Sequence, residues 1–263
     1  MINPELHKKP VALDREKHRQ LKLRMSPNPI QAAAGLNAFF VTAPEFGDVC
    51  KEYPLLFLRA GNDAQGRPQA APVAVFGLSP GENLFIGQGA WQGRYAPAML
   101  RVYPFAMARV DNQLVLCIDE SWQGFSTTEG QPLFEPDGTS TPYLTELQKF
   151  VEQIEADVER TRLCVQRYLE LDLLRDKRFD ATLPDGTPLS VDGFMAIDED
   201  KLAALSDADL LQLQRSGLLG LLHAHMISLS NMGALVNRRL LAQAAAAGAA
   251  ATPLNGAAAS LPH

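Results

Sequence analysis

Between Thr141 and Tyr168 the chain carries an apolar stripe that fixes much of what it can become. Leu144, Leu147, Val151, Ile154, Val158, Val165 and Tyr168 recur at alternating steps of three and four, with Thr161 as the one polar entry in that register. This is the signature of a long amphipathic helix with a heptad-like face. Thr141-Pro142 predicts its start, because threonine caps free N–H groups and proline at the first helical position loses no hydrogen bond. The stripe is expected to bury Leu147, Val151, Ile154 and Val158 against a sheet of the same domain, with a coiled-coil seam as the alternative.

The sheet is predicted upstream. Phe39-Phe40-Val41, Leu55 to Arg59, Pro72 to Leu78, Asn83 to Ile86, Pro104 to Val110 and Gln113 to Ile118 are short apolar runs separated by Gly, Pro and Asn. Two of them open on Tyr-Pro, Tyr53-Pro54 and Tyr103-Pro104, and both share the spacing Tyr-Pro-x4-Arg. Proline at a strand start costs no ladder bond, so two equivalent strand starts in one sheet are expected, each paired with the run after it. Asp111-Asn112 marks a tight turn. A further hairpin is predicted over 179–197, turning at Pro184-Asp185-Gly186. Ser206 and Asp209 form a helix-start signal, Ser216-Gly217 a break, and Leu218 to Leu229 a core helix, being apolar nearly all round. The fold class expected is therefore α+β, with a mainly antiparallel sheet from 37–119 packed on the long helices of the second half.

Three parts are read along the chain. Residues 1–35 form a basic N-terminal arm and linker, with seven Lys or Arg against three Asp or Glu in the first 24 and prolines at 27 and 29. Residues 36–243 form a single α+β domain. Residues 244–263 are an Ala-rich tail expected to be disordered. Residues 110–148 hold seven Asp or Glu and no Lys or Arg, so His18 to Leu23 is expected to dock on the body with Arg19 or Arg24 near this acidic segment.

A net charge of −6 argues against nucleic acid, which requires a basic face. Cys50, Cys117 and Cys164 are too few and scattered for a disulfide framework or a zinc site, and fit a reducing compartment. No secretory signal is recognised and Leu218 to Leu229 is too short to span a bilayer. A cytoplasmic location is therefore expected, with export by an unrecognised route left open.

No motif assembles a nucleophile, a phosphate cradle or a metal cage, and no cofactor or metal is expected. Three groups merit attention. His223 and His225 lie two apart, so on a helix they face different ways; the plainer reading gives them buried hydrogen bonds shared with Ser228, Ser230 and Asn231. Cys117 stands beside Asp119 and Glu120, which would weaken it as a nucleophile; the two acids are a weak signal for a cation. Trp91, Tyr95, Tyr103, Phe105 and Trp122, with Arg94 and Arg101, form either a binding cleft or ordinary core. The binding candidates are Tyr53, Trp91, Tyr95, Arg101, Tyr103, Asp119, His223 and His225, and no catalytic residue is named.

Several runs carry a resemblance. They are Glu52-Tyr53-Pro54, Gly81-Glu82-Asn83-Leu84-Phe85, Tyr95-Ala96-Pro97, Arg101-Val102-Tyr103-Pro104-Phe105-Ala106 and Cys117-Ile118-Asp119. They continue with Glu129 to Phe134, Thr141-Pro142-Tyr143-Leu144, Gly193-Phe194 and His223-Ala224-His225-Met226-Ile227-Ser228-Leu229. Together with the arm from Pro10 to His18 they resemble the bacterial SapC family over most of 10–235. The resemblance implies a surface-layer or accessory role exerted through a protein partner, with self-association also open. It also admits an accessory or enzyme of peptide or protein modification, associated with halogenase-like flavoproteins, whose site would lie near His223, His225 and the aromatic cleft. A small-ligand binding module is the third reading. A cavity joining either histidine to Arg101 and Asp119 would favour the enzyme.

Overall fold

A computed structural model describes residues 2–24, 28–111 and 113–250. The strands in chain order are β1 Pro10–Ala12, β2 Lys22–Leu23, β3 Ala38–Phe40, β4 Leu55–Asn62, β5 Pro68–Val75, β6 Ile86–Gly87, β7 Ala90–Trp91, β8 Phe105–Val110, β9 Gln113–Asp119, β10 Phe125–Ser126, β11 Gln131–Pro132, β12 Leu174–Thr182 and β13 Pro188–Ile197. The helices are α1 Phe46–Val49, α2 Ala98–Arg101, α3 Pro142–Glu170, α4 Glu199–Ala203, α5 Asp207–Arg215, α6 Leu218–Ser228 and α7 Asn231–Ala250. The fold is α+β. A five-stranded antiparallel sheet has the order β12-β13-β4-β5-β3, and a three-stranded one the order β1-β9-β8.

The long helix α3 packs on β5 of the larger sheet and β8 of the smaller, so it ties the two together. Thr141 caps it, accepting from the Leu144 N–H at 3.2 Å. Its buried face is Leu144, Val151, Ile154, Thr161, Val165 and Tyr168. Leu147 and Val158, expected on that face, are only half-buried. The polar entry has a reason. Thr161 is fully buried, and its Oγ1 accepts from the Ala43 N–H at 2.7 Å while donating to the Asp157 carbonyl at 2.6 Å. Thr161→Val should orphan the Ala43 donor and cost about 1–3 kcal/mol, read from the midpoint of urea unfolding; a change within about 0.5 kcal/mol would show that Ala43 finds another acceptor.

The two Tyr-Pro segments do not share a sheet, contrary to the expectation from their spacing. Each does precede a strand paired with the run after it, β4 with β5 and β8 with β9. What lies beyond each hairpin separates them. The outer edge of β4 is taken by β13, whereas the outer edge of β9 is taken by β1 from the arm. The 103–104 bond is cis.

The arm is part of the fold. Leu6, His7 and His18 are buried. β2 lies between β10 and β11 of the acidic segment. Arg24 reaches Glu129 at 3.4 Å and the Gln123 carbonyl, and Arg19 reaches the Pro136 carbonyl. A small second core of Phe105, Ile118, Leu133, Phe134 and Leu144 lies beneath, with Val11, Leu13, Leu21 and Leu23 against it. The leucines supply the apolar area that exposed ion pairs, each contributing ~0–1 kcal/mol, do not.

Toward the C-terminus the hairpin begins earlier than the sequence pattern predicts, at Leu174, with an irregularity between Lys177 and Phe179. Ser206 caps α5 by accepting from the Asp209 N–H. Gly217, at φ +77°, separates α5 from α6 in a backbone state that disfavours side chains. α6 enters the core along one face rather than all round. It buries Leu222, His225 and Ser228, while Ile227 is 64% exposed. The sequence is apolar all round, but only one face meets β4 and β13. Helix continues past the expected end at 243 to Ala250; the remainder of the expected tail lies outside the described residues. By length and composition alone, the stretch Leu218–Ala245 is long enough to cross a membrane, longer than the Leu218 to Leu229 run that stands out in the sequence. In this fold Leu222, Met232 and Leu235 of that stretch enter the main core.

Candidate functional site

The candidate residues fall in three places. At the first, His225 and Ser228 of α6 and Asn231, which opens α7, dock on the start of β4 and the turn before it. The sheet explains the need. β4 and β13 share a single ladder pair, Phe57 with Met195, and the next pair would be Leu55 with Ile197. There the imidazole of His225 stands between the strands. The Ile197 N–H donates to Nε2 at 3.2 Å, so Nδ1 carries the proton and donates to the Leu55 carbonyl at 2.7 Å. The Leu55 N–H donates to Ser228 Oγ at 2.9 Å. Asn231 Nδ2 donates to the carbonyls of Cys50 at 2.9 Å and Tyr53 at 3.1 Å. His225 is fully buried, and burial lowers its pKa to about 4. It is a neutral ring with both nitrogens committed. His223 points elsewhere, exposed and bonded to its own helix at the Leu219 carbonyl.

At the second place Asp119 is fully buried beside Tyr103. Its Oδ1 accepts from the Lys9 N–H and from the N–H and hydroxyl of Ser121; its Oδ2 accepts from the Lys8 N–H and the Tyr103 hydroxyl, all between 2.6 and 3.1 Å. Burial pushes this carboxyl up, but the bonds from Ser121, Lys8 and Lys9 outweigh it and hold it below the usual range. Burial and the adjoining Asp119 keep the Tyr103 phenol protonated well above its ordinary pKa. Glu120 faces outward to Lys9 at 2.8 Å, Lys17 at 2.5 Å and His18 at 3.5 Å. The acidic pair, a weak cation signal in the sequence, instead fastens the basic arm.

The third place gathers Tyr53, Trp91 and Tyr95. The Tyr53 hydroxyl and Trp91 Nε1 both donate to the Tyr95 carbonyl. Gly93 is required here, since a Cβ would lie 2.0 Å from the Tyr53 hydroxyl. The Tyr95 hydroxyl donates to Glu45 Oε1 at 2.8 Å, and the Arg101 guanidinium lies 5.5 Å from the centre of the Tyr95 ring and equally from Phe150. Glu45 is not among the residues that the sequence singles out. It is buried, closes a capping box with Thr42, and accepts from the Ala98 N–H at 2.7 Å. The readable signal is Thr42-Ala43-Pro44-Glu45, an S/T-x-x-E pattern.

These three places are not one cleft. His225 is sealed between strands of the larger sheet, while Tyr103 and Asp119 belong to the smaller sheet and its arm. Tyr53 links the first and third places through its carbonyl and its hydroxyl, and Arg101 links the third and second, touching Tyr95 and also lining a groove with Tyr103. Among the described residues no three His, Cys, Asp or Glu side chains come together as a metal-binding group. No curated protein and no solved structure matches the chain. A family model described as SapC matches residues 13–235.

Proposed function

The chain belongs to the SapC family, and on that basis we propose that it is a surface-layer-associated or accessory protein that acts by binding another protein, without catalysis of its own. One observation carries this reading: the two buried candidates for acid–base chemistry, His225 and Asp119, are spent holding the fold. His225 has both nitrogens bonded to strand backbone and Asp119 has five donors on its two oxygens. A modification enzyme built on His225 would lack an accessible base, since a general base must come within hydrogen-bond reach of its proton. Large apolar side chains meanwhile stand in solvent, among them Ile227 at 64%, Leu163 at 54% and Leu241 at 71% exposed. The three cysteines are free thiols, which suits the cytoplasmic location this reading adopts.

The test is affinity capture from the native cell extract, with the wild-type chain and an Ile227→Asp/Leu241→Asp variant as baits. Folding of both is checked by circular dichroism, and bound polypeptides and small molecules are both identified. Near-stoichiometric recovery of one polypeptide by the wild type, and its loss from the variant, is the expected result. Recovery of no polypeptide, or turnover of a co-purified small molecule by the purified chain, would sink the reading.

A further inference from the structure

A groove between the arm, the 101–105 segment and α3 encloses a cavity of about 190 Å³. Its walls are largely apolar or aromatic, with Tyr103, Trp122, Tyr143 and Leu147 among them, and both charged side chains that line it are arginines, Arg24 and Arg101. Tyr103 and Trp122 meet edge to face, at 6.5 Å and 79°, which sets a rigid aromatic corner. The volume is below that of pockets for drug-sized ligands and suits one ring or one branched side chain.

The arginines define the chemistry. Arg24 gives Nη2 to the Gln123 carbonyl and holds Nη1 3.4 Å from Glu129, and among the described residues its buried Nε has no hydrogen-bond partner. A buried unpaired donor is uncommon in a folded protein. Arg101 lies against the ring faces of Tyr95 and Phe150, an arrangement that leaves the edge of a guanidinium available for a planar acid. We propose that this groove binds a carboxylate attached to an aromatic or branched apolar group, delivered either as a free small acid or as the C-terminal residue of a peptide. The apolar group occupies the Tyr103–Trp122 corner, and the carboxylate accepts from Arg101, with the Arg24 guanidinium adding a second positive charge to the wall. This assignment goes beyond the partner reading: partner capture can fail without touching it, and the reverse.

The sequence has two tryptophans, so a Trp91→Phe chain leaves Trp122 as its sole tryptophan, excited apart from the tyrosines at the red edge of the absorption band. This chain is titrated with 3-phenylpropanoate, with 3-phenylpropylamine, and with a five-residue peptide ending in phenylalanine, as free acid and as amide. The expected result is a saturable change in emission with at least one free acid, and affinity at least tenfold weaker for the amine and the amide. Arg101→Gln and Arg24→Gln should each weaken the acid at least tenfold. Saturation by 3-phenylpropanoate alone identifies a small acid; saturation by the peptide acid identifies a chain terminus; either supports the site. No saturation by either acid up to about 10 mM, well beyond the range of a specific site, overturns it. So does equal binding of acid and amide, or indifference to both arginine variants. Should Trp91→Phe fail to fold, fluorine resonances of fluorotryptophan-labelled wild type report on Trp122 directly.

Discussion

Replacing His225 with alanine is expected to remove about 4–6 kcal/mol of stability, a large fraction of the roughly 5–15 kcal/mol that a domain has. The variant leaves the Leu55 carbonyl and the Ile197 N–H without partners, at about 1–3 kcal/mol each, and opens a cavity where the ring packed on Phe57 at 5.0 Å. His225→Gln should recover part of the loss, because an amide offers one donor and one acceptor. The same ring sets a pH dependence. Its pKa is about 4 in the folded chain, against 6.5 for a histidine free in water. Above pH 6.5 the ring is neutral in both states and contributes no slope. Between pH 6.5 and about 4 the unfolded chain takes up a proton that the buried ring refuses. Stability then falls by ~1.4 kcal/mol per pH unit, about 3 kcal/mol over the window. Urea titrations across that range should show the slope in wild type and its loss in His225→Gln. A variant that retains the wild-type slope would show that His225 is already charged in the fold.

The second large effect is expected at Asp119. Asp119→Ala should cost about 5 kcal/mol, since it strips the Tyr103 hydroxyl, Ser121 and two arm N–H groups of one shared acceptor. Asp119→Asn should cost nearly as much. Whichever way the amide lies, its NH2 faces donors, either Lys9 and Ser121 or Lys8 and Tyr103. Limited trypsinolysis separates this from a general loss of stability: the variants should be cut after Lys8 and Lys17 under conditions where the rest of the chain resists; the Lys9-Pro10 bond is not a trypsin site. If those bonds stay protected in both variants, the arm is held by its leucines alone.

The elements themselves are largely legible in the sequence. A cap at Thr141, a stripe of constant period and turns at Pro184-Asp185-Gly186 are local signals, and local physics decides them. Partnership is not legible. Nothing in Tyr-Pro-x4-Arg says which third strand will take the outer edge of each hairpin, so a matched spacing suggests a shared sheet that does not form. The apolar run of α6 suggests deep burial because composition reports hydrophobicity all round, whereas burial depends on which face meets β4. The histidine spacing correctly separates His223 from His225 and points to a network with Ser228 and Asn231, but Ser230, expected in it too, is exposed and donates to the Ile227 carbonyl. That Asp119 holds the arm is not readable, because its partners are backbone groups of Lys8 and Lys9, which have no sequence identity. Arg24 carries no signal as a groove residue for a related reason: its groove is assembled from the arm, the 101–105 segment and α3.

The clamp on the arm also has a consequence in time. Lys8 and Lys9 leave the ribosome 111 and 110 residues before Asp119. At ~5–20 residues per second that interval is roughly 5–20 s. Throughout it, the first strand has no edge to join, and the most basic part of the nascent chain is free to meet polyanions or early-binding chaperones. The smaller sheet can close only after synthesis has passed its own middle, so a stalled chain of about a hundred residues would present this arm permanently.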